Sequence, residues 1–198
     1  MSMYNRKDRY YQKAKDEGYV ARSAYKIKEL DKRFGIFKPG IKLVELGCAP
    51  GGWLQIACGV LKNKSARIVG IDLEKITLPL PNFVTTIQGD FLEEMHQQKI
   101  LEALGGKADW VISDLAPHLT GIKFSDLASS MNLAEVAFSF SQKILKPGGS
   151  LIIKIFPGPE FALFKKKLKL HFKRVEEIIL DSTRKTSNEI YVAGIHCT

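Results

Sequence analysis

An α/β fold built on a mostly parallel sheet is predicted by three features of this 198-residue chain. Short runs rich in Val, Ile and Leu alternate with segments whose apolar residues recur at helical spacing. Several of those runs carry an acidic residue at or near their end, as in "VELG", "GIDLE", "QGDF" and "ISDLAP". The stretch "VELGCAPGGWLQ", Val44 to Gln55, passes from an apolar run through a glycine- and proline-rich turn into a helix-like pattern. Sheets of this kind bind ligands at such turns, beyond the carboxyl ends of their strands.

Each element follows in order. Helices are expected over about Arg6–Lys15 and Ser23–Phe34; in the second, Ala24, Ile27, Leu30 and Phe34 share one stripe and Ser23 is a candidate N-cap. "FKPG" stops that helix, and "IKLVEL" reads as a buried strand. A helix from Trp53 to about Leu61 follows the glycine turn. "RIVGID" is the second strand, ending at Asp72, and "NFVTTIQGD" the third, ending at Asp90. A helix spans about Leu92 to Leu104, and "DWVISD" is a fourth strand ending at Asp114. Between Ser125 and Leu145, Leu127, Met131, Ala134, Phe138 and Leu145 form one helical stripe. "LKPGG" stops it and "SLIIKIF" is the fifth strand. Pro159–His171 reads as a last helix, while "FKRVEEIIL" and "EIYVAGIHC" form a closing pair of strands. Strands alternating with helices place helices on both faces of the sheet.

The length fits one domain, residues 1–198, with residues 1–38 as a basic helical extension. Apolar runs are far shorter than the roughly 20 residues of a membrane span, and the polar N-terminus has no secretory core. Cys48, Cys58 and Cys197 are an odd set without C-x-x-C spacing, so neither disulfides nor a metal site is expected. A cytoplasmic monomer is the plain reading. The net charge of +9 is unevenly spread. Residues 1–38 hold 11 Lys and Arg against 5 Asp and Glu, residues 39–159 hold 11 against 11, and residues 160–185 hold 8 against 4. Basic flanks around a neutral middle point to a polyanionic partner.

The carboxyl ends of the strands gather Glu45, Asp72, Asp90 and Asp114, with Lys154 inside the fifth strand. Gly47 and Gly52 have Walker A spacing, but Trp53 and Leu54 stand where a phosphate-binding lysine and hydroxyl belong. "GCAPGG" is not a dinucleotide G-x-G-x-x-G either, and an acidic edge repels pyrophosphate. S-adenosylmethionine, cationic and free of phosphate, fits better. Gly47, Cys48, Pro50, Gly51 and Gly52 form the turn that backbone approach requires. Asp72 is placed to accept from ribose hydroxyls, Asp90 from the adenine amino group, and Phe91 to cover an edge of the base. The same turn also serves as a tight strand-to-helix connection with no ligand.

"YVARSAYKIKEL", "ELGCAPGGWLQ", "GIDLE", "QGDF", "SDLAPHLTG", "LIIKIF" and "SNEIYVAG" stand in an order that resembles the FtsJ-type (RrmJ-like) RNA 2′-O-ribose methyltransferases, from about Asp8 to the C-terminus. The resemblance implies the class I, Rossmann-like S-adenosylmethionine-dependent methyltransferase fold, with seven strands and the last antiparallel. It also implies a catalytic tetrad at Lys26, Asp114, Lys154 and Glu189, and cofactor contacts at Gly51, Trp53, Asp72, Asp90 and Asp114. Two positions depart from the family pattern: Asn188, where a basic residue is common, and His118, where Asn or Asp is common.

Methyl transfer to a ribose 2′-hydroxyl is an in-line displacement in which the hydroxyl loses its proton. A lysine can take that proton only when neutral, and an unperturbed lysine has a pKa of about 10.4. Lys154 is therefore either the general base or a charged stabiliser of the developing alkoxide; the resemblance favours the base. The acceptor implied is RNA, most simply a uridine of large-subunit ribosomal RNA or an assembled subunit, with transfer RNA as the nearest alternative. A non-catalytic RNA-binding assembly factor is a second alternative, disfavoured by the complete tetrad. For RNA contact, Tyr4, Tyr10, Tyr11, Tyr19 and Tyr25 interleave with Arg6, Lys7, Arg9, Lys13, Lys15 and Arg22. In "FKKKLKLHFKR", Phe164, Leu168 and Phe172 recur every four residues, so that face is expected on the sheet with the lysines outward.

Overall fold

The computed structural model describes residues 8–62 and 65–198. Its elements are α1 (Arg9–Asp16), α2 (Ala24–Phe34), β1 (Lys42–Leu46), α3 (Gly52–Leu61), β2 (Arg67–Asp72), β3 (Val84–Gln88) and α4 (Glu94–Leu104), then β4 (Ala108–Ser113), α5 (Lys123–Ile144), β5 (Leu145–Ile155), α6 (Phe161–His171), β6 (Phe172–Ile178) and β7 (Ile190–Cys197). The seven strands make one sheet in the order β3-β2-β1-β4-β5-β7-β6. Strands β1 to β5 pair in parallel, and β7 runs antiparallel to both β5 and β6. The chain order reverses beside β1, which has β2 on one side and β4 on the other; that is where an open α/β sheet leaves a crevice.

Strand residues alternate between two cores because successive side chains leave opposite faces. Val44, Val69, Val111 and Ile153 pack with Ile100 of α4, Phe138 of α5 and Phe164 of α6. Leu43, Ile68, Ile112 and Ile152 pack instead with Ile27 and Leu30 of α2 and Leu54 of α3. The α6 stripe behaves as its spacing predicts, with Phe164, Leu168 and Phe172 all buried. No helix among the described residues is long and apolar enough to cross a membrane.

Local chemistry corrects several expected boundaries. Arg6 and Lys7 lie outside the described residues. Helix α1 starts at Arg9 because Asp8 caps it, its carboxylate accepting the Tyr11 amide at 3.0 Å. Ser23 does not cap α2: its backbone is already helical and its side chain makes no capping bond. Helix α5 ends at Ile144, one residue before the predicted end. Leu145 is extended, and Pro147 holds Lys146 out of the helical region. Strand β3 stops at Gln88, short of Asp90.

Candidate active site

Two cavities lie at the carboxyl-end edge of the sheet. The first, of about 540 Å³, is lined by Gly47 after β1, Asp72 at the end of β2, Asp90 and Phe91 after β3, and Asp114 after β4. Glu74 adds a fourth carboxylate, and the loop Leu115–His118 closes one side. Among the described residues, neither lysine nor arginine lines this cavity. The Asp72 oxygens accept the Ala49 amide at 2.8 Å and the Glu74 amide at 3.0 Å, so the carboxylate ties the glycine turn to the end of β2. Asp90 accepts the Leu92 amide at 2.8 Å. Phe91 is almost wholly buried, edge-on to Phe140 with ring centroids 5.1 Å apart, so most of its ring belongs to the core.

Gly47 is required where it stands. Its φ is +80°, and a Cβ would lie 3.0 Å from the Leu115 nitrogen. Gly47→Ala is expected to cost about 1–2 kcal/mol from left-handed backbone alone and to displace the loop after β4. Thermal unfolding together with S-adenosylmethionine titration will show lowered stability and weakened cofactor binding.

Other predicted cofactor residues sit behind the turn and do not line the cavity. The Cys48 side chain packs against Gly70 in the core, where burial pushes its thiol well above the ordinary range. Pro50 follows a cis peptide bond and faces solvent. Gly51 and Gly52 are buried, Gly51 against Leu78 and Gly52 against Ala21 and Ser23. The Trp53 indole turns the other way and donates to the Ser23 carbonyl at 2.8 Å, tying α3 to the start of α2, one turn before Lys26. Glu45 lies beneath the edge rather than on it. Burial first, then the charges of Asp114 and Asp72, push its carboxyl well above the usual range.

The second cavity, of about 390 Å³, is lined by Lys26, Glu189, Arg22, Ser23, Arg184 and neighbouring residues. Leu119 lines it while His118 lines the first, so the loop after β4 passes from one cavity to the other. Lys26, Asp114, Lys154 and Glu189 come together between the two. Lys154 is only 9% exposed, and its Nζ lies 2.9 Å from Asp114 Oδ1 and 2.5 Å from the Asp114 carbonyl oxygen. Lys26 pairs with Glu189 Oε1.

Tyr191, which sequence reading passed over, joins the two pairs. It stands opposite Lys154 in the β5–β7 ladder and donates its hydroxyl to Asp114 Oδ1 at 2.6 Å. Lys26 Nζ lies 5.6 Å from the centre of the same ring. Residues directly opposite on paired strands share a face, which brings Lys154 out on the side of the sheet covered by α2. Burial alone would raise the Asp114 carboxyl; the charges of Lys154 and Lys26 and the Tyr191 hydroxyl outweigh it and hold the group below its usual range. Burial, the Asp114 charge and the Glu189 charge push the Tyr191 hydroxyl well up, so it remains a donor.

A carboxyl whose folded pKa is depressed contributes stability above its unfolded value, and that contribution fades as pH falls through the folded value. Tyr191→Phe removes one donor from Asp114. Urea unfolding is expected to show a loss of about 0.5–1.5 kcal/mol at pH 7. The acid decline, whose onset is set by the unfolded carboxyl, is expected to be smaller and to end at higher pH than in the unaltered protein.

The basic, tyrosine-rich N-terminal segment is less open than its composition suggests. Tyr4 lies outside the described residues. Tyr25 is buried, with Tyr10 and Tyr19 packed on it at 5.3 and 5.9 Å and Lys13 over its ring at 5.0 Å. These tyrosines hold α1 and the following loop onto α2, so Tyr25 is not available to stack on a base. Tyr11 is exposed.

Comparison with known proteins agrees with this architecture. The model of the family described as FtsJ-like methyltransferase matches residues 19–196. A protein of Methanothrix thermoacetophila named ribosomal RNA large subunit methyltransferase E is 46% identical over 190 residues, 96% of this chain and 72% of that protein. Its namesake in Methanobrevibacter smithii is 41% identical over 194 residues, 98% of this chain and 91% of that one. Among solved structures, a Plasmodium falciparum protein assigned as a ribosomal RNA methyltransferase superposes with a TM-score of 0.80 at 30% identity, over 90% of this chain and 98% of that one. A Streptococcus mutans protein assigned as a methyltransferase and solved with SAH shares the fold at a TM-score of 0.55 and 17% identity, over 86% and 97% of the two chains. With nearly the whole chain matched, and the motif residues gathered between two cavities, the protein belongs to the FtsJ-like methyltransferase family.

Proposed function

We propose that the protein transfers a methyl group from S-adenosylmethionine to a ribose 2′-hydroxyl of large-subunit ribosomal RNA, in the cytoplasm, with the uridine acceptor that the family resemblance implies. The observation that carries this reading is the wall of Lys26, Asp114, Lys154 and Glu189 between an acidic cavity and a basic one. The names of the relatives support the choice of RNA.

The first cavity fits the cofactor. Four carboxylates, with no lysine or arginine among the described lining residues, suit a cationic ligand lacking phosphate, and the missing Cβ of Gly47 permits close backbone approach. Asp72 and Asp90 would hold the nucleoside, with Gly47 and Ala49 closing over it. When bound, S-adenosylmethionine supplies an electrophilic methyl on a sulfonium. The second cavity, with Arg22, Lys26 and Arg184 on its walls, suits the ribose and its phosphates.

Lys154 is fixed by Asp114 in a way that defines its chemistry. Two of its N–H groups are directed at Asp114 Oδ1 and at the Asp114 carbonyl oxygen. The remaining position on the nitrogen is a lone pair in the neutral amine and a third N–H in the ammonium. A lone pair there would accept the 2′-hydroxyl proton while the hydroxyl oxygen takes up the methyl group. A third N–H instead donates to the developing alkoxide, and the proton leaves to water. Lys154 acts in the first of these forms, as the general base. Lys26 and Glu189 face the ribose side and orient the hydroxyl, so positioning and fixed charge supply most of the acceleration.

The RNA class is tested by incubating the protein and labelled S-adenosylmethionine with large-subunit, small-subunit and transfer RNA fractions lacking the modification. Label confined to the large-subunit fraction is the expected result; label in transfer RNA alone would replace the substrate. The pH dependence of single-turnover transfer separates the two lysine roles. A general base makes the rate rise with pH through the lysine titration, whereas a charged stabiliser makes it fall there.

A further inference from the structure

A cavity of about 550 Å³ lies at the opposite end of the sheet from the tetrad and has no part in the chemistry above. It opens at the amino ends of β4 and β5. Trp110 and Asp114 are four residues apart along β4, so the two sites are separated by about 13 Å of strand. Four cations, Arg33, Lys38, Lys146 and Arg174, line it against a single carboxylate, Asp109. Lys146 pairs with Asp109, while Arg33 and Arg174 both reach Glu176, at 2.6 and 2.7 Å. Those pairings leave an excess of two positive charges. Arg33, Lys146 and Arg174 each keep more than half of their side-chain surface exposed, at 51, 52 and 62%. Ion pairs this exposed contribute little to stability and exchange readily for another anion.

The cavity also has an aromatic floor. Phe34 and Trp110 meet with ring centroids 6.1 Å apart, and both are half-buried. On the rim, His196 has a φ of +56°, an uncommon conformation for a residue other than glycine. Its ring Nδ1 lies 3.1 Å from the Gly148 carbonyl, and its amide donates to Ser150 Oγ at 3.2 Å, fixing that side of the mouth. The two basic flanks of the sequence thus converge here. Arg33 and Lys38 come from the N-terminal flank and Arg174 from the C-terminal one, around an aromatic pair from the end of α2 and from β4.

We propose that this cavity is a second nucleotide-binding site, taking the base and phosphate of one unpaired RNA nucleotide outside the reacting one, with the base against Trp110 and Phe34 and the phosphate among Lys38, Lys146 and Arg174. Exposed cations over aromatic rings are the pattern by which single strands are held without reading sequence. An RNA engaged here and at the tetrad contacts both ends of the sheet, which a folded ribosomal RNA can span and a lone acceptor nucleotide cannot. The inference deepens the proposed function and rests on RNA being the substrate class.

The test uses the full chain without cofactor and a five-residue oligouridylate, with tryptophan fluorescence as readout. Trp53 is sealed in the core, so quenching reports on Trp110. The oligomer is expected to quench the unaltered protein, and the quench to disappear in Trp110→Phe. In a Lys38→Glu, Arg174→Glu double variant the dissociation constant should rise at least about tenfold at low salt, and the slope of log affinity against log salt should fall by about two. Both variants should keep normal S-adenosylmethionine affinity, which shows that they are folded. Equal affinity of the double variant and the unaltered protein for the oligomer overturns the proposal. Uridine monophosphate binding as tightly as the oligomer would make a free nucleotide the occupant and overturn the RNA assignment. Because no methyl transfer is measured, failure of the proposed reaction and failure of this site are read separately. On a methylatable RNA the double variant is expected to raise KM while leaving kcat unchanged.

Discussion

Lys154→Ala is expected to reduce methyl transfer by about 10²–10⁴-fold, the range for a lost acid–base group, while S-adenosylmethionine binds almost as before. The separation follows from position. Lys154 lines neither cavity and makes its contacts to Asp114, whereas the cofactor-side surface is supplied by the glycine turn, Asp72 and Asp90. Truncation leaves that surface in place and removes the amine to which the proposed reaction assigns the hydroxyl proton. Single-turnover transfer beside an equilibrium cofactor titration measures the two effects independently. Transfer at an unaltered rate would remove Lys154 from the chemistry, and a parallel collapse of cofactor affinity would make its role structural.

Asp114→Ala should damage both activity and stability, and the second effect is the more informative. The Asp114 carboxylate is the counter-ion of a lysine that is nearly buried. Removing one partner of a buried pair leaves an uncompensated charge and costs about 3–5 kcal/mol. The tyrosine beside it loses its acceptor as well. Adding Lys154→Met to Asp114→Ala removes the orphaned charge, so the double variant should recover much of the lost stability while remaining inactive. Urea unfolding of the two variants settles this. Equal destabilisation of both would show that the carboxylate acts through its packing or backbone rather than through the charge of Lys154.

Those contacts also mark what the sequence could and could not disclose. The alternation of strands and helices was legible because each strand buried on both faces is a continuous apolar run, and each helix carries one stripe. The acidic edge was legible for the same reason: Asp72, Asp90 and Asp114 stand where apolar runs stop. Tyr191 was not legible as a link between Lys154 and Asp114. Its place follows from the register of β5 against β7, and a period-two pattern shows which face a side chain leaves by without showing what lies opposite. Ser23 looked like a cap because of its residue type, whereas the true capping bond in this region is made by Asp8, which also meets Arg22 and Arg184. The N-terminal tyrosines looked like a stacking surface, but Tyr25 is buried on α2 and the neighbouring rings pack on it. Composition suggested binding where packing had the prior claim.

The cavity at the far end of the sheet was hidden by the same non-locality. Arg174 is distant in sequence from Arg33 and Lys38, and all three read only as parts of two charged flanks. The sheet brings them to one mouth because β6 returns beside β7, at the same end as the start of β4 and β5. Local periodicity locates such residues on elements, and topology decides which of them become neighbours.

Where the methyl goes is measured most directly by alkaline digestion of large-subunit RNA labelled by the protein. A 2′-O-methyl group removes the hydroxyl that attacks the adjacent phosphate, so the linkage beside it survives alkali. Label recovered in alkali-stable dinucleotides, and absent with Lys154→Ala, is the expected result. Label recovered in mononucleotides would place the methyl on a base and contradict transfer to the ribose 2′-hydroxyl.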